Sequence, residues 1–205
     1  MALNIQGQVG LQLPKLATGV NAQFSQGNLG ESLVSEVMAR YYQLAYNGLV
    51  FSASHSAAQA LSVNSTTFTG LAVSNPANSG KNLVILDVSI AIAAAVAAVT
   101  TPRLGYAAIV ALTAGNSVGP TAAIVGNAGG VAKVGASGTL GAAPVSIRPI
   151  MGVDWVTGGT PVAMIYTKDD VGGAIIIPPG QMLTLDSLVG ACSVLAGFTW
   201  AEIAV

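Results

Sequence analysis

From residue 51 onward the chain alternates short runs of β-branched, aliphatic and aromatic residues with Gly, Pro, Asn and Ser punctuation. This rhythm constrains the fold more than any other feature. The runs at 67–73, 83–92, 106–112 and 162–167 have strand length and the spacing of an all-β sandwich. Val84, Leu86, Val88, Ile90 and Ile92 recur at every second position, the period of a strand with one face buried. Between two such runs stands Asn75-Pro76-Ala77-Asn78-Ser79-Gly80. Proline presets φ, asparagine tolerates the left-handed region and glycine enters it without steric cost, so this hexapeptide reads as a hairpin loop. In Ile175-Ile176-Ile177-Pro178-Pro179-Gly180-Gln181 the prolines break one strand and the glycine starts the next. A final strand over 193–203 places Phe198 and Trp200 on one face and Thr199 on the other. The Ala-rich stretch 91–98 continues a strand into a loose connection, with a short helix as the alternative.

The first fifty residues differ. Residues 1–27 mix isolated apolar residues with Gln, Asn and Gly without a sustained period, as in an extended arm. Asn28 and Glu31 have capping-box spacing, Leu33, Val37, Tyr41 and Leu44 recur at helical spacing, and Glu36 and Arg40 form an i,i+4 pair. Gly48 can close the segment in a left-handed conformation. One helix over about 30–47 follows. Val34, Met38, Tyr42 and Ala45 extend its apolar surface to a second side, as for a helix touching two partners. The chain thus divides into an arm plus helix, 1–50, and a β-sandwich domain, 51–205.

Charge narrows the function. Only 7% of the 205 residues are charged, against 52% hydrophobic, and the net charge is −1. The seven basic residues are scattered singly, which argues against direct nucleic-acid binding. The apolar run 88–99 is too short to span a membrane and is closed by Thr100, Thr101, Pro102 and Arg103. The N-terminus lacks the basic leader and apolar block of a signal peptide, and Cys192 has no partner cysteine, as expected of synthesis in a reducing cytoplasm. The bland reading of Cys192 is a small buried hydrophobe in a strand. Residues 114–143 carry Lys133 as their only charge and read as long β-loops or thin strands lying against another surface, such as a subunit.

Chemistry-bearing constellations are sparse. His55 lies in Phe51-Ser52-Ala53-Ser54-His55-Ser56-Ala57, which lacks the Gly-x-Ser-x-Gly elbow of a serine hydrolase, so it reads as a surface or hydrogen-bonded structural residue. One His and one Cys cannot make a zinc site from a single chain, leaving only copies of His55 gathered about a symmetry axis. Asp169-Asp170 has the donors for calcium but reads as a solvated turn. Asp87, Asp154, Asp169, Asp170, Asp186 and Glu202 are spread along the chain, which leaves the facing carboxylate pair of a glycosidase open but gives nothing that favours it. Gly129-Gly130 and Gly158-Gly159 lack the Lys-Ser/Thr of a phosphate loop. Trp155 and Trp200 read as core or interface anchors. No catalytic, cofactor or metal residues are expected.

The stretch 68–90, FTGLAVSNPANSGKNLVILDVSI, with its strand, Asn-Pro…Ser-Gly-Lys turn and second strand, resembles virion proteins of tailed bacteriophages. Ile177-Pro178-Pro179-Gly180-Gln181 and Phe198-Thr199-Trp200-Ala201-Glu202-Ile203 are similar to the C-terminal end of the same kind of protein. The resemblance covers about 51–205. It implies a jelly-roll-like β-sandwich, assembled as a homotrimer on the outer capsid surface as a decoration or cement protein in contact with the major capsid protein. Burial in symmetric contacts would also account for the low charge. Residues 1–47 would then make shell or inter-subunit contacts. The rival readings are a tail or fibre module that binds a receptor glycan, and a polysaccharide-degrading enzyme built on Asp169 and Asp170.

Overall fold

Alternating burial turns these runs into two antiparallel sheets. The computed structural model describes residues 25–26, 32–33, 40–94, 96, 99–153 and 165–205, in two compact units, Met1–Tyr42 and Gln43–Val205. In the first, β1 (Ser25–Gln26) pairs with β2 (Ser32–Leu33). Helix α1 is described over Tyr42–Tyr46 and ends at Gly48, whose φ is 72°. The helix expected to begin near residue 30 is therefore corrected, because Ser32 and Leu33 are in strand pairing. Gly, Asn and Gly at 27, 28 and 30 are turn chemistry as much as cap chemistry. The rest of that expected helix, 34–39, and most of the 1–27 arm lie outside the described residues.

The second unit contains β3 (Val50–His55), β4 (Gln59–Leu61), β5 (Thr67–Ser74), β6 (Lys81–Ile92), β7 (Pro102–Ala108), β8 (Ser117–Ala122), β9 (Lys133–Thr139), β10 (Val145–Pro149), β11 (Tyr166–Ile177), β12 (Gln181–Ser187) and β13 (Cys192–Ala204). One sheet has the order β11-β6-β13-β3-β8, with β4 also on β13, and the other has β10-β7-β12-β5-β9. From β5 to β7 and from β10 to β13 the chain changes sheet at every connection. This is the interlocked Greek-key order of a jelly-roll-like sandwich. The extra pair β8 and β9 adds one strand to the same side of each sheet.

That alternation corrects the hairpin reading of residues 75–80. The turn joins β5 to β6, which lie in different sheets, so it is a corner between layers. The Pro178-Pro179-Gly180 break is a second such corner, between β11 and β12. The two adjoin: Asn75 N–H donates to the Gln181 carbonyl at 2.9 Å, and Gly180 N–H to the Asn75 carbonyl at 2.8 Å. The fully buried Asn75 side chain donates from Nδ2 to the carbonyls of Lys81 (2.7 Å) and Ile177 (2.9 Å).

The core lies between the sheets. Phe51, Ala53 and His55 of β3 face inward opposite Trp200, Phe198 and Ala196 of β13, and the Phe51 and Trp200 ring centroids are 6.4 Å apart. In β6 the inward set is Leu83, Ile85, Val88, Ile90 and Ile92. A register shift opposite Thr199 and Trp200 inserts Leu86 as an extra residue. The period-two series expected from Val84 therefore changes phase there, and Val84 is only half-buried. Inward pairing of Phe198 and Trp200, with Thr199 on the other side, is as read from sequence.

The strand expected over 106–112 stops at Ala108. Val110 and Leu112 instead pack over the outer face of the five-stranded sheet, where Phe68, Ala72, Leu140 and Met182 form a second small core. Strands β5 and β12 are thereby buried on both faces. The charge-poor 114–143 segment supplies β8 and β9, so part of it is buried within its own chain. Among the described residues no helix is long and apolar enough to cross a membrane.

Candidate interaction surfaces

The ionisable groups of the interior are each engaged by neighbours. His55 Nδ1 accepts the Ala196 N–H at 3.2 Å, which places the ring proton on Nε2, 3.3 Å from the Gly70 carbonyl. Burial lowers its pKa, and hydrogen bonds to backbone groups of Gly70 and Val194 offset this in part, so the ring is a neutral tie between the two sheets. Arg103 grips Asp186 with Nε–Oδ1 at 2.7 Å and Nη2–Oδ2 at 3.2 Å, and its Nη2 also donates to the Pro144 carbonyl at 3.1 Å. Burial raises the Asp186 pKa, and the guanidinium acts against that rise. Burial likewise pushes the Cys192 thiol up, with the Thr100 hydroxyl opposing, so Cys192 is the inert buried thiol expected.

Glu202, read from the sequence only as one of several dispersed carboxylates, stands in a built anion site. Its fully buried carboxylate accepts the Val131 N–H at 3.0 Å on Oε2 and the Ala132 N–H at 3.2 Å on Oε1, while Lys81 Nζ donates to Oε2 at 3.0 Å. Burial alone would raise its pKa, but these bonds outweigh it and hold the carboxyl below its ordinary value. A Cβ at position 130 would overlap Glu202 Oε1, which explains one glycine of the Gly129-Gly130 pair. The pair does precede an anion-binding loop, and the anion is a side chain of the same protein. The one local signal was that doublet, uninformative without the distant Glu202 carboxylate that binds the Val131 and Ala132 amides just after it.

The Glu202 clasp holds one end of the β8–β9 connection. At its other end the Asn127 N–H bonds the Ile124 carbonyl at 3.1 Å, and Gly126 has φ of 90°. This is a β-turn whose third position requires positive φ, and Val125 at its second position is 94% exposed. Val118 of β8 is also exposed. No charged residue occurs between 104 and 132.

On the opposite side of the sandwich, β10 and β11 are the outermost strands of their sheets among the described residues. Between them opens a groove of about 340 Å³ lined by Tyr106, Ile147, Ile176, Pro178, Gln181 and Leu183, among others. Tyr106, Val145 and Ile176 are exposed, Ile176 by 56%. The ion pair of this edge, Arg148 Nη2 to Asp169 Oδ2 at 2.6 Å, crosses from one sheet to the other. A second cavity of about 750 Å³ lies between the 109–114 segment and the β8–β9 side, with Lys133 its one charged lining residue.

The remaining residues singled out from sequence are not gathered into one centre. Asp169 and Asp170 lie within β11, which corrects the solvated-turn reading. Adjacent strand residues point to opposite faces, so the two carboxylates do not converge on a shared cation. Asp87 accepts from Thr199 Oγ1 at 3.1 Å and lies 3.5 Å from Lys168 Nζ. Trp200 is a core anchor. Asp154, Trp155 and Gly158-Gly159 lie outside the described residues. Among the described residues no three His, Cys, Asp or Glu side chains cluster to hold a metal. No protein-family model matches the chain, and neither curated proteins nor solved structures include a significant match to it.

Proposed function

We propose that this protein is a non-enzymatic virion structural protein of the tailed-phage capsid decoration type, which binds the outer shell as a homotrimer through contacts with the major capsid protein and stabilises the head. The observation that carries the reading is the division of labour among side chains. Buried ionisable groups are committed to internal bonds, while each lateral edge of the sandwich exposes apolar residues, Val118 and Val125 on one and Tyr106 and Ile176 on the other. Such a surface suits protein–protein burial better than catalysis. Two further observations support it: the jelly-roll-like strand order, and the adjoining corners formed by 75–80 and 177–181, the two turns that carry the resemblance to virion proteins.

Light scattering at micromolar concentration should give about three times the 20.3 kDa chain mass; a monomer mass refutes the trimer. Co-sedimentation with purified heads of the phage that encodes the gene should be lost when residues 1–27 are deleted, with the sandwich still folded. Equal binding by the truncated protein refutes the role assigned to the arm.

Receptor binding has one observation of its own. Tyr166, 63% exposed, shares the outer face of β11 with Lys168, which approaches Asp87 and through it Thr199. An aromatic ring beside such polar groups is a sugar-binding chemistry, and glycan-array binding abolished by Tyr166→Ala would favour that reading over the capsid one.

A further inference from the structure

A closed three-fold ring needs a heterologous contact, in which one patch of each copy meets a different patch of the next. The sandwich carries two such patches on opposite sides, because sheet order places β10 and β11 at one lateral edge and β8 and β9 at the other. One is convex: the Ile124-Val125-Gly126-Asn127 turn, which the positive φ of Gly126 shapes and the Glu202 clasp anchors. The other is concave: the groove between β10 and β11, apolar along Tyr106, Ile147, Ile176 and Pro178. Neither lining carries a charge that the other would have to answer, and on the groove's edge the charges of Arg148 and Asp169 are paired with each other within one chain.

The edges themselves are poorly suited to adding a strand. Strand β10 is five residues long and ends in Pro149, and β11 presents Lys168 and Asp170, devices that discourage edge-to-edge pairing. What remains on that side is a recess for side chains.

We propose that the occupant of the β10–β11 groove is a second copy of this chain, which inserts Val125 and Ile124 of its β8–β9 turn head-to-tail, and that repetition of this contact closes the ring. The proposal rests on the homotrimer reading and adds to it the two surfaces and their polarity. Each copy contributes one knob and one groove, so the contact is directional.

The test uses full-length chains in a Cys192→Ala background. Tagged Val125→Cys and untagged Ile176→Cys copies are co-expressed, purified and treated with copper phenanthroline, and run on non-reducing gels. A crosslink joining tagged to untagged chains is expected, and the Val125→Cys/Ile176→Cys double variant should give covalent trimers. Crosslinks only between like copies overturn the proposal in favour of a two-fold contact. Absence of crosslinks, with light scattering still reporting a trimer, overturns the proposed surfaces but leaves the trimer standing. A wild-type monomer overturns the trimer reading itself, and this contact with it. As a second measurement, Val125→Asp should weaken association by on the order of tenfold to a hundredfold with an unchanged circular dichroism spectrum and melting temperature. Unaltered association of that folded variant refutes the knob.

Discussion

Replacing Glu202 by Gln tests the clasp that joins β6, β13 and the β8–β9 connection. The carboxylate takes two backbone N–H groups, from Val131 and Ala132, and the Lys81 ammonium. A glutamine keeps one acceptor oxygen, so one N–H retains its bond while the other faces the new NH₂ group. A buried donor left without an acceptor costs about 1–3 kcal/mol. Lys81 is 33% exposed, so solvent screening limits the lost ion pair to less than about 1 kcal/mol. The expected destabilisation is therefore about 1–4 kcal/mol at pH 7. With a urea m-value of about 2 kcal/mol/M, the midpoint falls by about 0.5–2 M. Urea unfolding followed by tryptophan fluorescence reads this directly, since Trp200 is fully buried.

The pH dependence gives an independent check. The folded-state pKa of Glu202 lies below the ordinary 4.5, so its contribution is fully present above that value and is lost as pH falls through the folded-state value. The gap between wild type and Glu202→Gln should stay constant down to about pH 5 and narrow below the ordinary value. Equal midpoints at pH 7, or a gap that widens on acidification, would refute the reasoning.

Other buried bonds give further expectations. Arg103→Met leaves the Asp186 carboxylate buried without its fork and should cost about 3–5 kcal/mol in chemical denaturation, whereas Arg103→Met/Asp186→Leu should recover most of that loss. Asn75→Ala strips the donors from two carbonyls at the adjoining corners and should lower stability by about 2–4 kcal/mol; a melting temperature equal to wild type would show that the corners hold without it. Cys192, buried and with a raised pKa, should resist iodoacetamide at pH 8 in the native protein and be alkylated in urea, as read by mass spectrometry.

Strand existence was legible because side-chain period is a local property. The runs at 67–73, 83–92 and 193–203 needed only their own residues to declare a pleat, and each lies within an observed strand. Turn positions were legible for the same reason, since Pro76, Gly80, Pro178 and Gly180 constrain their own backbone. Which strands a turn joins was not legible. The Asn75–Gly80 turn suits a hairpin and a corner equally, and only the pairing of β5 with β12 and of β6 with β13 decides between them. The phase change at Leu86 was hidden likewise, because a bulge exists only relative to the neighbouring strand.

For the candidate surfaces the division is sharper. Low charge pointed to apolar burial, but it could not say that residues 109–112 cover their own sheet while Val125 and the Ile176 edge stay exposed. The sequence by itself determined an all-β chain with its turns in place and its polar chemistry scarce, since propensity and periodicity act over a few residues. Only the tertiary structure decided that Glu202 occupies the amides after Gly130, that His55 ties two sheets, and that a knob and a groove lie on opposite edges. Those features are bonds and distances between residues remote in the chain, and their energies come into being only when the sheets pack.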